Sequence, residues 1–289
     1  MIARELIGIG SYAFRYAAKK TMDASSSMDA SASMDAAAFV EETARLGLSR
    51  ALICENLNYA DSNERYIEKL AETARSCGIT LEVGMRGVSK ENIQRHIHIA
   101  RILGAKLLRI VLGEISETAP RDPQKLKTEA LNSIKPVLPQ LEEADLFLGI
   151  ENHFDLAAAE LVDIVSRIKS RRVGLIFDST NCLGLIEKPL DVLRMMKGRL
   201  LSVHLKDYEC KKTDAGYVFS GVDLGKGSLD IAAVIQTARS FKTNASFIME
   251  YNMKPQSAMG EQELFAWEQE CAKRNVSALL DAAGKYGDL

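Results

Sequence analysis

VGLIFDSTNCLG, residues 173–184, sets a short run of apolar, β-favouring residues against an acid, Asp178, followed by Ser179, Thr180 and Asn181. Taken alone, the acid reads as a helix cap, because Asp, Ser, Thr and Asn satisfy the free N–H groups of a helix start. The run has counterparts along the whole chain. They are LIGIGSYAF (6–14), RALICEN (50–56), TLEVGMRG (80–87), KLLRIVLG (106–113), LFLGIEN (146–152), LLSVHLKD (200–207) and SFIMEYN (246–252). Between the runs, apolar residues recur at helical spacing. Phe39, Val40, Ala44 and Leu46 share one side before Gly47, and Ile93, Ile97, Ala100 and Leu103 share one side before Gly104. The same spacing predicts helices over 62–77, 123–144, 157–169, 189–197, 229–242 and 261–284.

Eight strand-plus-helix units in alternation predict a parallel sheet, since each return to a parallel strand needs a crossover. Eight such units close a (β/α)8 barrel of the TIM type, an α/β fold in a single domain over residues 1–289. The alternative, an open doubly wound sheet, carries a glycine-rich turn after its first strand. Here Gly8 and Gly10 have no third glycine at the required spacing, and the pair reads as incidental. One segment departs from the alternation. Three Met-Asp-Ala copies, six residues apart, lie between the first strand and its helix. The last supplies Asp35 as a helix cap; the earlier ones make a low-complexity loop at about 20–34. Such a loop is a tolerated insertion, or a lid if it lies on the active face.

Composition narrows the function classes. The 289 residues are 47% hydrophobic and carry a net charge of −2, with no basic stripe, which argues against nucleic acid as a partner. No apolar run approaches the ~18 residues of a membrane span. Arg4 and Glu5 stand where a signal peptide needs its apolar core, so no leader is expected. The five cysteines are scattered, without a CxxC pair, and read as reduced thiols of a cytoplasmic protein.

In a barrel of this kind, chemistry sits where the strands end. The fifth run ends in Glu151, with His153 two residues on; the sixth ends at Asp178. The seventh offers His204 and Lys206 on one face, and the eighth ends at Glu250. Strand side chains alternate, so Asn152 turns away from Glu151. Each residue has an ordinary explanation as a rim charge, a satisfied core histidine or half of an ion pair. Together they bring three carboxylates to one point beside a single lysine, and like charges so close repel. A divalent cation relieves this. Three carboxylates and one imidazole suit Mn²⁺, Mg²⁺ or Co²⁺, with Zn²⁺ also admitted.

The set GIENH, FDSTN, VHLKD and IMEY, in this order on the fifth to eighth runs, resembles the xylose isomerase-like TIM-barrel superfamily of sugar phosphate isomerases and epimerases, which also includes the apurinic endonucleases. The likeness runs from GIGSYAF to FIMEYN. It implies that Glu151, Asp178, His204 and Glu250 bind one divalent metal ion. From the ketose epimerases it implies that Glu151 and Glu250 are also the catalytic acid–base pair. Those epimerases commonly carry a histidine three residues after the metal-binding aspartate, where this chain has Asn181. The DT-x-N and H-x-KD patterns of other members, some of them lyases or decarboxylases of keto-sugar acids, lie closer. GVDLGKG (221–227) resembles the loop after the seventh strand of the superfamily.

The chemistry suited to such a site is enolisation. A hydroxy-ketone or keto-sugar chelates the metal, a glutamate takes the proton beside the carbonyl, and an enediolate forms. Return of the proton gives an isomer or epimer. Loss of a β-hydroxyl or of CO₂ gives a metal-dependent lyase, dehydratase or decarboxylase, as the alternative. Candidate substrate contacts are His153, Lys206, Asn181 and Arg86, each with a structural alternative. Lys206 would otherwise pair with Asp207 or Glu250, and Arg86 would form a rim salt bridge; Glu55 sits on the same rim. Asp178 is read as a ligand and not as a cap, with Ser179, Thr180 and Asn181 shaping the turn. A phosphodiesterase of the apurinic endonuclease type is a remote alternative, because its three zinc ions need more than this chain's four histidines. The expected partner is a small sugar or sugar-acid substrate, and the resemblance leaves a homo-oligomer open.

Overall fold

The computed structural model describes residues 2–22, 34–113, 122–255 and 257–286. Its strands are β1 (Ile7–Gly10), β2 (Arg50–Ile53), β3 (Thr80–Arg86), β4 (Leu107–Val111), β5 (Phe147–Glu151), β6 (Val173–Asp178) and β7 (Leu200–Leu205), then β8 (Asp207–Thr213), β9 (Gly216–Val222) and β10 (Ser246–Met249). Eight of them form a closed parallel barrel in the order β1-β10-β7-β6-β5-β4-β3-β2, while β8 and β9 pair separately as an antiparallel hairpin. The barrel strands are buried on both faces, which is why β6 reads as an unbroken apolar run up to its terminal acid.

The helices are α1 (Arg15–Met22), α2 (Ala36–Arg45), α3 (Glu64–Ser76), α4 (Lys90–Leu103), α5 (Pro123–Ile134), α6 (Leu138–Glu143), α7 (Ala158–Ile168), α8 (Pro189–Met195), α9 (Ile231–Ser240) and α10 (Glu261–Tyr286). Several begin at a side-chain cap. Asp35 accepts from Ala38 N at 2.8 Å, and Asn63, Ser89 and Asp230 act likewise on α3, α4 and α9. Each such cap contributes ~1 kcal/mol. Helix α4 ends at Gly104, whose φ of 68° is the left-handed conformation that glycine adopts without strain. The apolar faces of these helices join the outward strand residues, such as Ile9, Ala51 and Val83, in one large core. A second, small cluster of Leu52, Cys54 and Ile248, with Tyr12 against it, lies inside the barrel, since Leu52 is the register partner of inward-facing Gly10.

The structure departs from the sequence reading in particular places. The first run is a strand only to Gly10; Ser11–Phe14 is a 3-10 turn and leads into α1, a helix that strict alternation did not predict. The 123–144 helix divides at the 3-10 turn Lys135–Val137, because Pro136 and Pro139 remove backbone donors. Residues 207–222, taken as the end of a strand plus loop, form the β8–β9 hairpin. Of the low-complexity loop at about 20–34, residues 20–22 belong to α1 and 23–33 lie outside the described residues. The glycines of the first run are not incidental. A Cβ at Gly8 would stand 2.6 Å from Arg50 O, and one at Gly10 would collide with the Glu250 carboxylate. Among the described residues no helix is long and apolar enough to cross a membrane.

Candidate metal centre

At the C-terminal mouth, Glu151, Asp178 and His204 each offer a ligand atom, and these atoms lie within 4.8 Å of one another. Asp178 and His204 are register partners on β6 and β7, and all three residues are at most 1% exposed. His204 Nδ1 stands 3.3 Å from Glu151 Oε2 and 4.0 Å from Glu250 Oε1. Glu250, one residue beyond β10, therefore reaches the group through His204 but is not one of its three mutually close members. Lys206 lies between the two flanks, with Nζ 2.7 Å from Asp178 Oδ2 and 2.9 Å from Glu250 Oε2. Of its two predicted alternatives for a salt bridge, Glu250 is the partner. Asp207 is not: its carboxylate accepts from the backbone N–H groups of Gly225, Gly227 and Leu229, and so fixes the GVDLGKG loop.

The residues between the candidate ligands fasten the strand ends. Asn152 turns away from Glu151 only to bridge to β6: its Nδ2 donates to Asp178 O at 2.9 Å and its Oδ1 accepts from Asp178 N at 2.7 Å. Ser179 does the same across β6 and β7, donating to Lys206 O and accepting from Lys206 N. Asp178 corrects the either-or reading of cap and ligand. Its Oδ1 accepts from Thr180 N and Asn181 N, both at 2.9 Å, and so caps the turn, while Oδ2 faces the site. Asn181 follows from that turn; its Nδ2 donates to Glu151 Oε1 at 3.1 Å and to Asn152 O at 3.2 Å. It holds a candidate ligand instead of standing free for substrate.

Sequence reasoning missed Arg109. It sits on β4, 3% exposed, with Gly84 and Gly149 as its register partners on either side. Its Nε donates to Glu151 Oε2, and its Nη1 lies 3.5 Å from Glu55 Oε2. The signal was present: in KLLRIVLG the arginine occupies an inward position of a strand, where charge is not buried without a partner. Glu55 also binds Arg86 Nε at 3.1 Å and accepts from Tyr12 Oη at 3.0 Å. Burial raises the Glu151 carboxyl, but Arg109 and His204 overcome this and hold it well below the ordinary carboxylate range. Burial lowers the Lys206 ammonium, and Asp178 and Glu250 more than reverse this, so it stays charged.

These contacts revise the charge argument. Four carboxylates (Glu55, Glu151, Asp178, Glu250) meet three fixed cations (Arg86, Arg109, Lys206), not one lysine alone. The fit to a metal rests instead on orphaned atoms. Among the described residues, Asp178 Oδ2, both His204 nitrogens and Glu250 Oε1 are buried without a hydrogen-bond partner, despite the nearby ion pairs. Native proteins rarely leave such groups unsatisfied. A divalent cation would satisfy an imidazole nitrogen and carboxylate oxygens together, and the donors present suit one. Of the other predicted contacts, Arg86 forms the rim salt bridge. His153 packs its ring against Phe154 at 4.3 Å between centroids, and burial lowers its pKa, so it is neutral.

Residues 34–274 match the family described as xylose isomerase-like TIM barrel. The chain is 28% identical over 257 residues to the 3-oxo-isoapionate decarboxylase of Pectobacterium atrosepticum, covering 88% of each chain. Among solved structures, an L-ribulose 3-epimerase superposes with a TM-score of 0.71 at 15% identity, covering 97% of this chain and 95% of that one. The IOLI protein with a zinc atom superposes with a TM-score of 0.69 at 14% identity, over 98% and 99% of the two chains.

Proposed function

Given that the chain belongs to the xylose isomerase-like TIM-barrel family, we propose that it is a sugar-processing enzyme that uses one divalent metal ion, and that it decarboxylates a 3-oxo sugar acid. The observation that carries this reading is the state of Glu151. Its two oxygens are engaged by Arg109 and Asn181, and the Arg109 guanidinium and His204 hold its carboxyl below the ordinary carboxylate range. An epimerase needs a glutamate free to take a proton from carbon. Loss of CO₂ from a 3-oxo acid needs none. The bond between the carboxyl carbon and its neighbour breaks, CO₂ leaves, and the electron pair moves toward the 3-oxo oxygen. The 28% identity to a 3-oxo acid decarboxylase supports the same choice.

Glu151, Asp178, His204 and Glu250 are the residues that would hold the metal. Bound there, it would supply Lewis acidity to the substrate's 3-oxo oxygen. Lys206 is the one cation of the site on a long flexible stem, and its ammonium meets negative charge as it develops. The same group carries the proton that returns to carbon after CO₂ departs. Arg86 is held at the rim by Glu55, and a substrate carboxylate would have to share its guanidinium with that partner; His153, neutral beside it, is left for a hydroxyl.

A second reading, isomerisation or epimerisation of a ketose, draws on one observation: Glu151 and Glu250 approach the same imidazole nitrogen from β5 and β10, as an acid–base pair flanking one substrate would. One experiment separates the two. Mn²⁺-loaded protein is incubated in D₂O with 3-oxo sugar acids and, separately, with ketoses. CO₂ release with one deuterium in the product is expected. Deuterium wash-in to recovered ketose without CO₂ would favour the second reading, and neither outcome, with any divalent metal, would overturn both. Metal analysis should find about one ion per chain, and less in Glu151→Gln.

A further inference from the structure

The opposite mouth of the barrel, where the strands begin, carries a second concave site. A cleft of about 840 Å³ opens there, within the size range of small-metabolite pockets. Small inward residues lie along its floor: Ser202 pairs with Ser246, and Gly174 and Ser246 line the cleft itself. A Cβ at Gly174 would stand 2.5 Å from Arg199 O, so no larger residue fits at that position.

The lining is polar in a directed way. Glu82, 1% exposed, accepts from Arg50 Nη1 at 3.0 Å through Oε1, whereas its Oε2 is buried with no hydrogen-bond partner among the described residues. Thr243 Oγ1, on the loop before β10, is also buried and unpartnered. Both residues line the cleft together with four cations, Arg50, Lys106, Arg171 and Arg199. A purely structural Arg50–Glu82 pair would account for one carboxylate oxygen and leave the other unexplained. Of the cations, Lys106 is paired with Asp145 at 2.7 Å, while Arg199 Nη1 donates to Ser170 O and Arg50 Nε to Glu5 O. An unsatisfied carboxylate oxygen asks for a hydroxyl or amine donor; the further N–H groups of the Arg50 and Arg199 guanidiniums suit an anion.

We propose that this mouth binds a small hydroxylated anion, a sugar acid or a sugar phosphate, with the anionic group between Arg50 and Arg199 and a hydroxyl donated to Glu82 Oε2. The site is separated from the metal centre by the Leu52, Cys54 and Ile248 cluster, so the two can be filled independently.

Calorimetric titration of the full chain, washed with chelator, tests this with D-gluconate, glucose 6-phosphate and inorganic phosphate as probes. At least one of the two hydroxylated anions is expected to bind saturably at about one per chain, more tightly than inorganic phosphate; which of them does so tells carboxylate from phosphate. Glu82→Gln and Arg199→Gln should each weaken binding at least about tenfold, the effect of losing one charge-assisted hydrogen bond. Lys206→Met, at the other mouth, should leave it unchanged. If Glu82→Gln does not fold, Arg199→Gln and Thr243→Ala, both on loops, carry the same test. The proposal is overturned if neither hydroxylated anion binds at millimolar concentration, or if inorganic phosphate binds as tightly. It is equally overturned if the variants of the cleft bind as the unaltered protein does, or if Lys206→Met abolishes binding.

Discussion

The two flanks of the metal centre handle buried charge in opposite ways. Toward β2–β4, every carboxylate has a guanidinium: Glu55 meets Arg86, and Arg109 spans Glu55 and Glu151. Toward β6–β10, Asp178, His204 and Glu250 converge with atoms left unbonded, and only the Lys206 ammonium answers them. Guanidinium groups stay charged and planar and hold carboxylates in fixed geometry. A lysine on a four-carbon stem can yield its place. One flank is therefore neutralised by guanidinium groups, and the other is where a divalent cation would be held. Glu151 is the seam between them, paired to Arg109 on one side and close to His204 on the other.

The largest expected effect comes from breaking the closed flank. Arg109→Met strands Glu151 and is expected to cost about 3–5 kcal/mol of folding stability, read from urea denaturation of the metal-free protein. Lys206→Met should cost less, because the Lys206 side chain is 13% exposed against 4% for Arg109, so its ion pairs are better screened by solvent. Equal losses in the two variants would remove the distinction between the flanks. A smaller effect is expected from Asn152→Ala, which frees the backbone of Asp178. Metal affinity, measured by competition with a chromophoric chelator, should fall about 10–100-fold. Arg86→Gln, on the closed flank, should leave that affinity unchanged.

The smallest effect is one of pH. Burial raises the Glu55 carboxyl, but Arg109, its own backbone N–H, Arg86 and Tyr12 lower it further, and the net direction is down from 4.5. A depressed carboxylate contributes stability that is fully present above the unfolded value and is lost as pH falls through the folded one. Metal-free protein should therefore lose stability below about pH 4.5, and Glu55→Gln should show a shallower loss over that window in thermal melts. An unchanged slope would mean that the pairing of Glu55 contributes nothing to the closed flank.

The barrel was legible because alternation and strand-end position are local patterns. Glu151, Asp178, His204 and Glu250 could be aligned by parity alone, since a strand turns every second side chain inward. What escaped was set by partners distant in sequence. Arg109 looked like an irregularity in KLLRIVLG until Gly84 and Gly149 were found beside it. The hairpin of β8 and β9 escaped because the eight-unit pattern has no place for a strand pair between the seventh run and its helix. Asn152 was read from its parity as pointing away from the site, which is true of its side chain and missed its bonds to the Asp178 backbone. Alternation says which face a residue takes but not what awaits it there.

The divided carboxylate of Asp178 has a consequence for denticity. Because Oδ1 is committed to two backbone N–H groups of the turn, only Oδ2 is left for a metal, and Asp178 can coordinate through a single oxygen. Glu151 is more constrained still, with Oε1 engaged by Asn181 and Oε2 shared with Arg109. A coordination sphere assembled from such one-oxygen donors is left unsaturated by the protein for ions that prefer six ligands. The turn sequence DSTN, by capping itself, would thus limit how many oxygens Asp178 could give a metal and leave room for a substrate to contribute others.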